Sequence, residues 1–200
     1  MDEGKSPKTS RCILEAAQRL FALHGYHGTS IRDIVHACGV SNAALYYHFE
    51  SKQNLYFEVL RQYVAAAVER LQQADTGRGS YRSRLGSVAL AYARLILESQ
   101  NVLQTLVRDM GQFDQADVVR KLSDWSGQVP ATIGTILEEG IAAGELRPLP
   151  ARRTAMLILG MINAIAGSRL HVQPENTLEE DMDLAMDVLF EGIAVPTQTV

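Results

Sequence analysis

Small and polar side chains follow one another along a short stretch in the first quarter of the chain, spaced to share the outward face of a helix. Small residues at the start of such a helix allow base edges to come close, whereas tyrosine and histidine can donate hydrogen bonds to phosphate oxygens. A tyrosine ring can also touch the methyl group of thymine. Together these residues predict a surface that reads double-stranded DNA. They are Ser41, Ala43, Ala44, Tyr46, Tyr47 and His48.

Two further residues lie at predicted helix starts, where unpaired backbone N–H groups already favour phosphate. Lys52 brings a positive charge to the start of the fourth helix, and Thr29 brings a hydroxyl to the start of the second. Both are predicted to bind the DNA backbone.

The elements that position these residues are two short helices joined by a sharp turn. Ser30 and Asp33 have the spacing of a capping box and begin the first helix. Gly39 ends it, because glycine can take the positive φ that a sharp interhelical turn requires. Leu45 and Phe49 are four residues apart and are expected to face inward. The pattern is that of a helix-turn-helix.

Helical periodicity continues along the rest of the chain, and neither a hairpin signal nor sustained apolar–polar alternation indicates a strand. The fold class predicted is all-α, with about nine helices: a three-helix DNA-binding domain joined by a long helix to a helical C-terminal domain. The tails, residues 1–7 and 195–200, are expected to be disordered. The predicted helices cover residues 9–24, 30–39, 42–49, 52–73, 81–99, 102–110, 115–143 with a break at Gly127 and Pro130, 150–171 and 177–192.

Charge is distributed unevenly between the two predicted domains, residues 1–55 and 56–200. The whole chain has a net charge of −4, which excludes an overall basic coat for nucleic acid but not a local patch. Residues 1–55 carry six Lys and Arg against five Asp and Glu, a net charge of +1, whereas the remainder carries 13 against 18, or −5. We therefore expect specific DNA binding with weak affinity for random DNA.

Several classes of site and location are disfavoured. Cys12 and Cys38 are too few for a disulfide scaffold or a four-ligand zinc site and are expected to pack as small apolar residues. No metal-ligand spacing is evident, so neither a metal nor a cofactor is predicted. The longest apolar run, residues 155–167, is shorter than the roughly 20 residues that a membrane span needs. The polar N-terminus lacks a signal-peptide apolar stretch, and a cytoplasmic protein is expected.

The stretch from Ile13 to Leu60 resembles the N-terminal domain of the TetR family of transcriptional regulators. A later segment, EEGIAAGELRP at residues 138–148, is also common in such proteins. The N-terminal resemblance is carried by AAQRLF at 16–21, GY at 25–26, TSIRDI at 29–34, GVS at 39–41, LYYHF at 45–49 and SK at 51–52.

This resemblance implies a homodimer that binds a palindromic operator, usually as a repressor, and is released when a small molecule enters the C-terminal domain. Ala43 and Ala44 then match the positions nearest the bases, with Tyr47 next to them. Tyr46, His48 and Lys52 match positions that hold phosphates. Thr29 and Ser41 also match DNA-facing positions.

The C-terminal half contains candidate contacts for an effector whose identity the sequence does not reveal. Large side chains in its middle helices either pack in the core or contact the effector. Asn163 lies within the most apolar helix and needs a partner, which is either the effector or a neighbouring helix. The full set is Tyr92, Met110, Phe113, Trp125 and Asn163.

The last two predicted helices have the composition of a dimer interface. Gly160, Ala164 and Gly167 form a ridge of small residues that permits close helix approach. The final helix carries two apolar stripes, and a helix at a domain edge needs only one. A partner is therefore expected to cover the other. The stripes are Met182, Ala185 and Leu189, and Met186, Phe190 and Ile193.

Two other classes of function compete with a regulator. An all-helical enzyme lacks support, because no P-loop, dinucleotide-binding fingerprint, zinc-protease motif or nucleophile elbow occurs. An architectural or protein-binding module would use the same helices without sequence specificity. Retention of unrelated DNA as strongly as of specific DNA would distinguish it.

Overall fold

The computed structural model describes residues 6–98, Asp109, Phe113 and residues 127–193, excluding the side chains of residues 192 and 193. Nearly all regular structure in these parts is helical, which confirms the predicted fold class. The predicted helix 102–110 and the first half of 115–143 fall largely outside the described residues. The helices are α1 (Pro7–His24), α2 (Ile31–Cys38), α3 (Asn42–His48), α4 (Lys52–Ala74), α5 (Tyr81–Glu98), α6 (Gln128–Ala142), α7 (Ala151–Ser168) and α8 (Leu178–Ile193).

Local hydrogen bonds explain where several helices begin. At the start of α2, the Asp33 N–H donates to Ser30 Oγ at 3.1 Å, and the Ser30 N–H donates to Asp33 Oδ2 at 2.8 Å. The same reciprocal pair joins Thr177 and Glu180 before α8, at 2.7 and 3.2 Å. Both predicted capping boxes are confirmed.

The start of α1 differs from the prediction. Its first residue is Pro7, and the Oγ of Ser6 accepts a hydrogen bond from the Lys8 N–H at 3.2 Å. Proline suits the first helical position because its missing N–H would have no helical partner there. Ser6 and Pro7 therefore belong to the helix start rather than to the predicted tail.

The chain divides into two compact units, residues 1–64 with 100–123 and residues 65–99 with 124–200. In the first, α1 to α3 and the start of α4 bury a core that includes Ile13, Phe21, Ile34 and Leu45. Asp109 and Phe113 are described members of this unit. The functional boundary at residue 55 stays a prediction.

The second unit packs α5, α6, α7 and α8 around one apolar core, which also takes in the end of α4. Leu85 and Val88 on α5 contribute to it, as do Ile158 and Ile162 on α7. All four are at most 1% exposed. The interhelical turn before residue 150 is closed by Leu146, which is also buried in this core.

Candidate nucleic-acid interface

A sharp turn joins α2 to α3. Gly39 ends α2 with a φ of 66°, in the left-handed region that side chains disfavour. The Val40 N–H then donates to Val35 O at 3.0 Å. Ser41 begins α3, and its Oγ accepts a hydrogen bond from the Ala44 N–H at 3.1 Å. The predicted helix-turn-helix geometry is confirmed in these features.

The short helix α3 has one buried and one exposed side. Leu45 and Phe49 are at most 5% exposed and pack inward, as their spacing predicts. Tyr46 and Tyr47 are 51% and 60% exposed. The surface therefore combines small groups with phenol hydroxyls. Of the remaining predicted DNA contacts on or beside α3, Ser41 and Ala43 are exposed, and Ala44 and His48 are half-buried.

The Thr29 hydroxyl does not reach the surface. Thr29 is 1% exposed, and its Oγ1 donates to Gly25 O at 2.9 Å. The hydroxyl is thus bonded to the backbone of the turn between α1 and α2. The prediction that the Thr29 side chain binds a DNA phosphate is therefore corrected.

Lys52 lies at the first position of α4 with its ammonium over an aromatic ring. Its Nζ is 4.1 Å from the centroid of the Tyr26 ring, a cation–π contact. Burial lowers the pKa of Lys52, whereas the carboxylates of Asp109 and Asp33 act in the opposite direction. The side chain is half-buried. The side chain is therefore packed in part, with its charge against the Tyr26 ring.

A groove of about 470 Å³ lies between the start of α1 and the turn that precedes α3. Lys8 and Ser6 line one part of it, and Ser41 and Ala44 line another. Lys8 is exposed in the first turn of α1. Lys8 is not among the DNA contacts predicted from the sequence, although the Ser-Pro pair before it signals a helix start, where phosphate binds favourably.

Two of the predicted effector contacts, Tyr92 and Asn163, are hydrogen-bonded to each other. Tyr92 on α5 packs against the core of the second unit, and its hydroxyl donates to Asn163 Oδ1 on α7 at 3.5 Å. Burial raises the pKa of Tyr92, and the bond to Asn163 opposes this. Asn163 is exposed, and its partner Tyr92 lies on a neighbouring helix, which is one of the two alternatives that the sequence leaves open.

The other predicted effector contacts lie elsewhere. Phe113 belongs to the first unit, where its ring centroid is 4.7 Å from that of Tyr26 and 5.4 Å from that of Phe57. Met110 and Trp125 lie outside the described residues. A contact of any of these residues with an effector stays a prediction.

The apolar stripes of α8 face inward more than the sequence suggests. Met182, Ala185 and Met186 are at most 5% exposed because they pack into the core of their own unit. Their assignment to a dimer interface is therefore corrected, since they leave no surface for a partner. Leu189 and Phe190 are partly buried against the same core. The side chain of Ile193 lies outside the described residues.

The large apolar residues that α7 and α8 expose are not the ones predicted to form the dimer interface. Met156 and Leu157 are 57% and 74% exposed, and Leu184 and Val188 are each 62% exposed. On α7, the predicted interface residues Gly160 and Ala164 are also exposed, and Gly167 is half-buried. The four large residues were not predicted from the sequence, because periodicity does not reveal which apolar stripe of a helix is covered by a neighbouring helix.

Other kinds of site find little support in the described parts of the chain. No group of three or more His, Cys, Asp or Glu side chains there is arranged to hold a metal ion. Among the described helices, none is both long and apolar enough to cross a membrane.

Comparison with known proteins agrees with this geometry. A model of the N-terminal region of bacterial regulatory proteins of the tetR family matches residues 13–59, and a model of a tetracyclin repressor-like C-terminal domain matches residues 78–167. The HTH-type transcriptional repressor KstR2 of Mycolicibacterium smegmatis is 28% identical over 68% of this chain and 66% of its own length. The fatty acid metabolism regulator protein of Bacillus subtilis is 22% identical over 94% of this chain and 97% of its own.

A solved structure shares the fold over nearly the whole chain. The transcriptional regulator FadR of Bacillus subtilis, in complex with stearoyl-CoA, superposes with a TM-score of 0.73 at 20% identity, covering 92% of this chain and 98% of that one. The turn between α2 and α3 is that of a helix-turn-helix, and the family models and relatives identify a transcriptional regulator rather than an enzyme. The chain belongs to the TetR family, whose members bind DNA and respond to small-molecule ligands.

Proposed function

We propose that this protein is a homodimeric repressor that binds a palindromic operator and is released by a small-molecule effector. The observation that carries the proposal is the exposed face of α3, with Tyr46 and Tyr47 half or more exposed beside small residues. Such a face enters the major groove, where small side chains permit close approach to base edges. Because it acts on DNA, we place the protein in the cytoplasm.

Individual contacts follow from this docking mode. Ala43 and Ala44 lie nearest the bases, with Tyr47 beside them. Tyr46 and His48 hold phosphates on either side of the groove, together with Ser41 at the helix start and Lys52 on α4. Lys8, exposed at the start of α1, adds a further phosphate contact.

Fluorescence anisotropy tests this by measuring binding to labelled DNA from upstream of the protein's own gene, with unrelated duplex as competitor. We expect the labelled DNA to stay bound in the presence of the competitor, with an affinity about 10³-fold or more above that for random DNA. Equal affinity for the upstream DNA and for the unrelated duplex indicates an architectural protein. Absence of binding to either at low salt contradicts the proposal.

A second copy of the chain is proposed to cover the exposed apolar residues of α7 and α8. Met156, Leu157, Leu184 and Val188 form the large part of this surface, which continues into a groove of about 240 Å³ between the two helices. The exposed small residues Gly160 and Ala164 permit close helix approach. Dimerisation is typical of the family. It supplies two reading heads for half-sites spaced by one DNA turn, about 34–36 Å, or a multiple of it.

Sedimentation equilibrium tests this surface. Leu157→Glu combined with Leu184→Glu is expected to yield monomers, because each places a charge where apolar area should be buried. Val172→Glu is the matched control, since Val172 is 66% exposed but lies in the turn between α7 and α8. A wild-type monomer at micromolar concentration contradicts the dimer.

The effector is proposed to bind the second unit, and long-chain acyl-CoA thioesters are the first class to test. The support is the similarity to a fatty acid metabolism regulator and to a structure holding stearoyl-CoA. Stearoyl-CoA is expected to raise the melting temperature and release operator DNA, whereas stearate alone and CoA alone do neither. Absence of both effects with stearoyl-CoA excludes this class of effector.

A further inference from the structure

A buried carboxylate from a distant part of the sequence contacts the turn between α1 and α2 and the start of α4. Asp109 is 4% exposed and belongs to the same compact unit as α1, α2 and α3. Its Oδ2 accepts a hydrogen bond from the Tyr26 N–H at 2.6 Å and another from the Tyr56 hydroxyl at 3.2 Å. Charged hydrogen bonds of this kind offset the loss of water around a buried carboxylate.

The first of these bonds fixes the turn between α1 and α2. Tyr26 lies in this turn, and its N–H donor is held by Asp109 rather than by a neighbouring residue. Its ring is packed edge-on against Tyr56, with centroids 5.2 Å apart, and against Phe113 at 4.7 Å. Both the backbone and the ring of Tyr26 are thus held in place.

The Tyr26 ring in turn lies against a proposed phosphate contact. The Lys52 ammonium is 4.1 Å from the ring centroid, and the negative charge of Asp109 acts to raise the pKa of Lys52, against the larger effect of burial. A lysine has a flexible four-carbon stem, so its position on the surface depends on what its end packs against. Tyr26 therefore connects the two charged groups, since its backbone N–H donates to the Asp109 carboxylate and its ring contacts the Lys52 ammonium.

We propose that Asp109 is a positioning residue for DNA binding, which fixes Tyr26 so that its ring holds the Lys52 ammonium towards a DNA phosphate. This inference rests on the proposed phosphate contact of Lys52. It assigns to Asp109 a role in affinity for the DNA backbone, without contact between Asp109 and DNA.

A double-mutant cycle on the full-length protein separates this role from a general structural one. Lys52→Ala is expected to lower the slope of log affinity against log salt by about 1, as loss of one phosphate contact does. Asp109→Ala is expected to lower operator affinity about 10-fold in the wild-type background, the loss typical of one charged hydrogen bond. In the Lys52→Ala background the same change should lower affinity by less than about 2-fold, since its effect passes through Lys52.

Matched variants test the intermediate contacts. Asp109→Asn keeps an acceptor for the Tyr26 N–H, and Tyr26→Phe keeps both the ring and the N–H. Each is expected to remain within about 3-fold of wild-type affinity. If circular dichroism shows that Asp109→Ala does not fold, Asp109→Ser replaces it in the cycle, because it retains a polar group at the buried position.

The possible failures are distinct. An unchanged salt slope in Lys52→Ala overturns the phosphate contact, and this inference with it. In another outcome, the slope in Lys52→Ala is reduced, and Asp109→Ala lowers affinity by the same factor with and without Lys52. That result supports the phosphate contact of Lys52 and overturns the role of Asp109. Wild-type affinity in folded Asp109→Ala also overturns it, while the proposed regulator stands.

Discussion

Arg84 and Asp75 form a bidentate ion pair in the second unit. The Nε and Nη2 of Arg84 donate to the two carboxylate oxygens of Asp75, each at 2.7 Å. The third nitrogen of Arg84 is 2.7 Å from Oε2 of Glu139 on α6. These contacts connect three parts of the unit through one guanidinium: the residue after α4, the start of α5, and α6. The Arg84 side chain is only 9% exposed.

Asp75→Asn is expected to lower the free energy of unfolding by about 1–3 kcal/mol, because a buried guanidinium loses its charged bidentate partner. Urea denaturation measures the change. Glu139→Gln is the matched control, and a loss below about 1 kcal/mol is expected because Glu139 is about half exposed. Equal losses would show that the bidentate geometry does not matter.

The same ion pair predicts a dependence of stability on pH. Hydrogen bonds from Arg84 hold the pKa of Asp75 below its ordinary value of 3.8 in the folded protein. The carboxylate therefore stabilises the fold fully above its unfolded-state pKa, and this contribution disappears as pH falls through the folded-state pKa. Urea titrations from neutral pH to about pH 3 should show the difference between wild type and Asp75→Asn shrinking below about pH 4. A difference that is constant across this range contradicts the assignment.

Two glycines of α6 are expected to respond oppositely to alanine. A Cβ at Gly140 would lie 2.7 Å from Leu146 Cδ1 and 3.0 Å from Tyr81 Cγ, whereas a Cβ at Gly134 would have no atom of the described neighbouring residues within 4 Å. Gly140→Ala should cost about 1–3 kcal/mol through overpacking. Gly134→Ala should stabilise by about 0.5–1 kcal/mol through helix propensity. Thermal unfolding measures both, and a stable Gly140→Ala would show that Leu146 and Tyr81 move easily.

Neighbouring tyrosines on α3 are predicted to differ in what they read. Tyr47→Ala should change the order of preference among operator variants, with about 1–3 kcal/mol of lost discrimination at the affected base pair. Tyr46→Ala should instead weaken binding by a similar factor for all variants. Anisotropy titrations against a set of single-base operator variants provide the comparison. Uniform loss in both variants would make Tyr47 a phosphate contact as well.

The Cys38 thiol is expected to be inert in the folded protein. Its Sγ donates to Cys12 O at 3.0 Å, and burial raises its pKa to about 12. Because the thiolate is the reacting form, alkylation by iodoacetamide at about pH 8 should be more than about 100-fold slower than for free cysteine. Mass spectrometry of the modified peptide follows the rate. Labelling at the unfolded rate would show that the thiol is accessible.

Local features of the fold were predictable because they depend on residues close in sequence. The capping boxes at Ser30 and Thr177 involve partners three residues away, and the positive φ at Gly39 reflects glycine alone. Leu45 and Phe49 are buried because a helix places residues four apart on one side. The helix-turn-helix and its exposed α3 face followed from these short-range rules.

Tertiary packing decided the features that depend on distant neighbours. Thr29 has a hydroxyl that could bind phosphate, but the conformation of its turn directs this hydroxyl to Gly25 O. The stripe containing Met182 and Met186 is buried within the chain's own core, which leaves Leu184 and Val188 exposed.

The sequence by itself determined most of the described helices and the exposed face of α3, because backbone hydrogen bonds and side-chain periodicity act over a few residues. Only the tertiary structure brought Asp109 to Tyr26, 83 positions away. The burial of a charge depends on donors that the whole fold must assemble around it. For that reason the short-range pattern predicts which residues face DNA, whereas the contacts that pack around those residues depend on the whole fold.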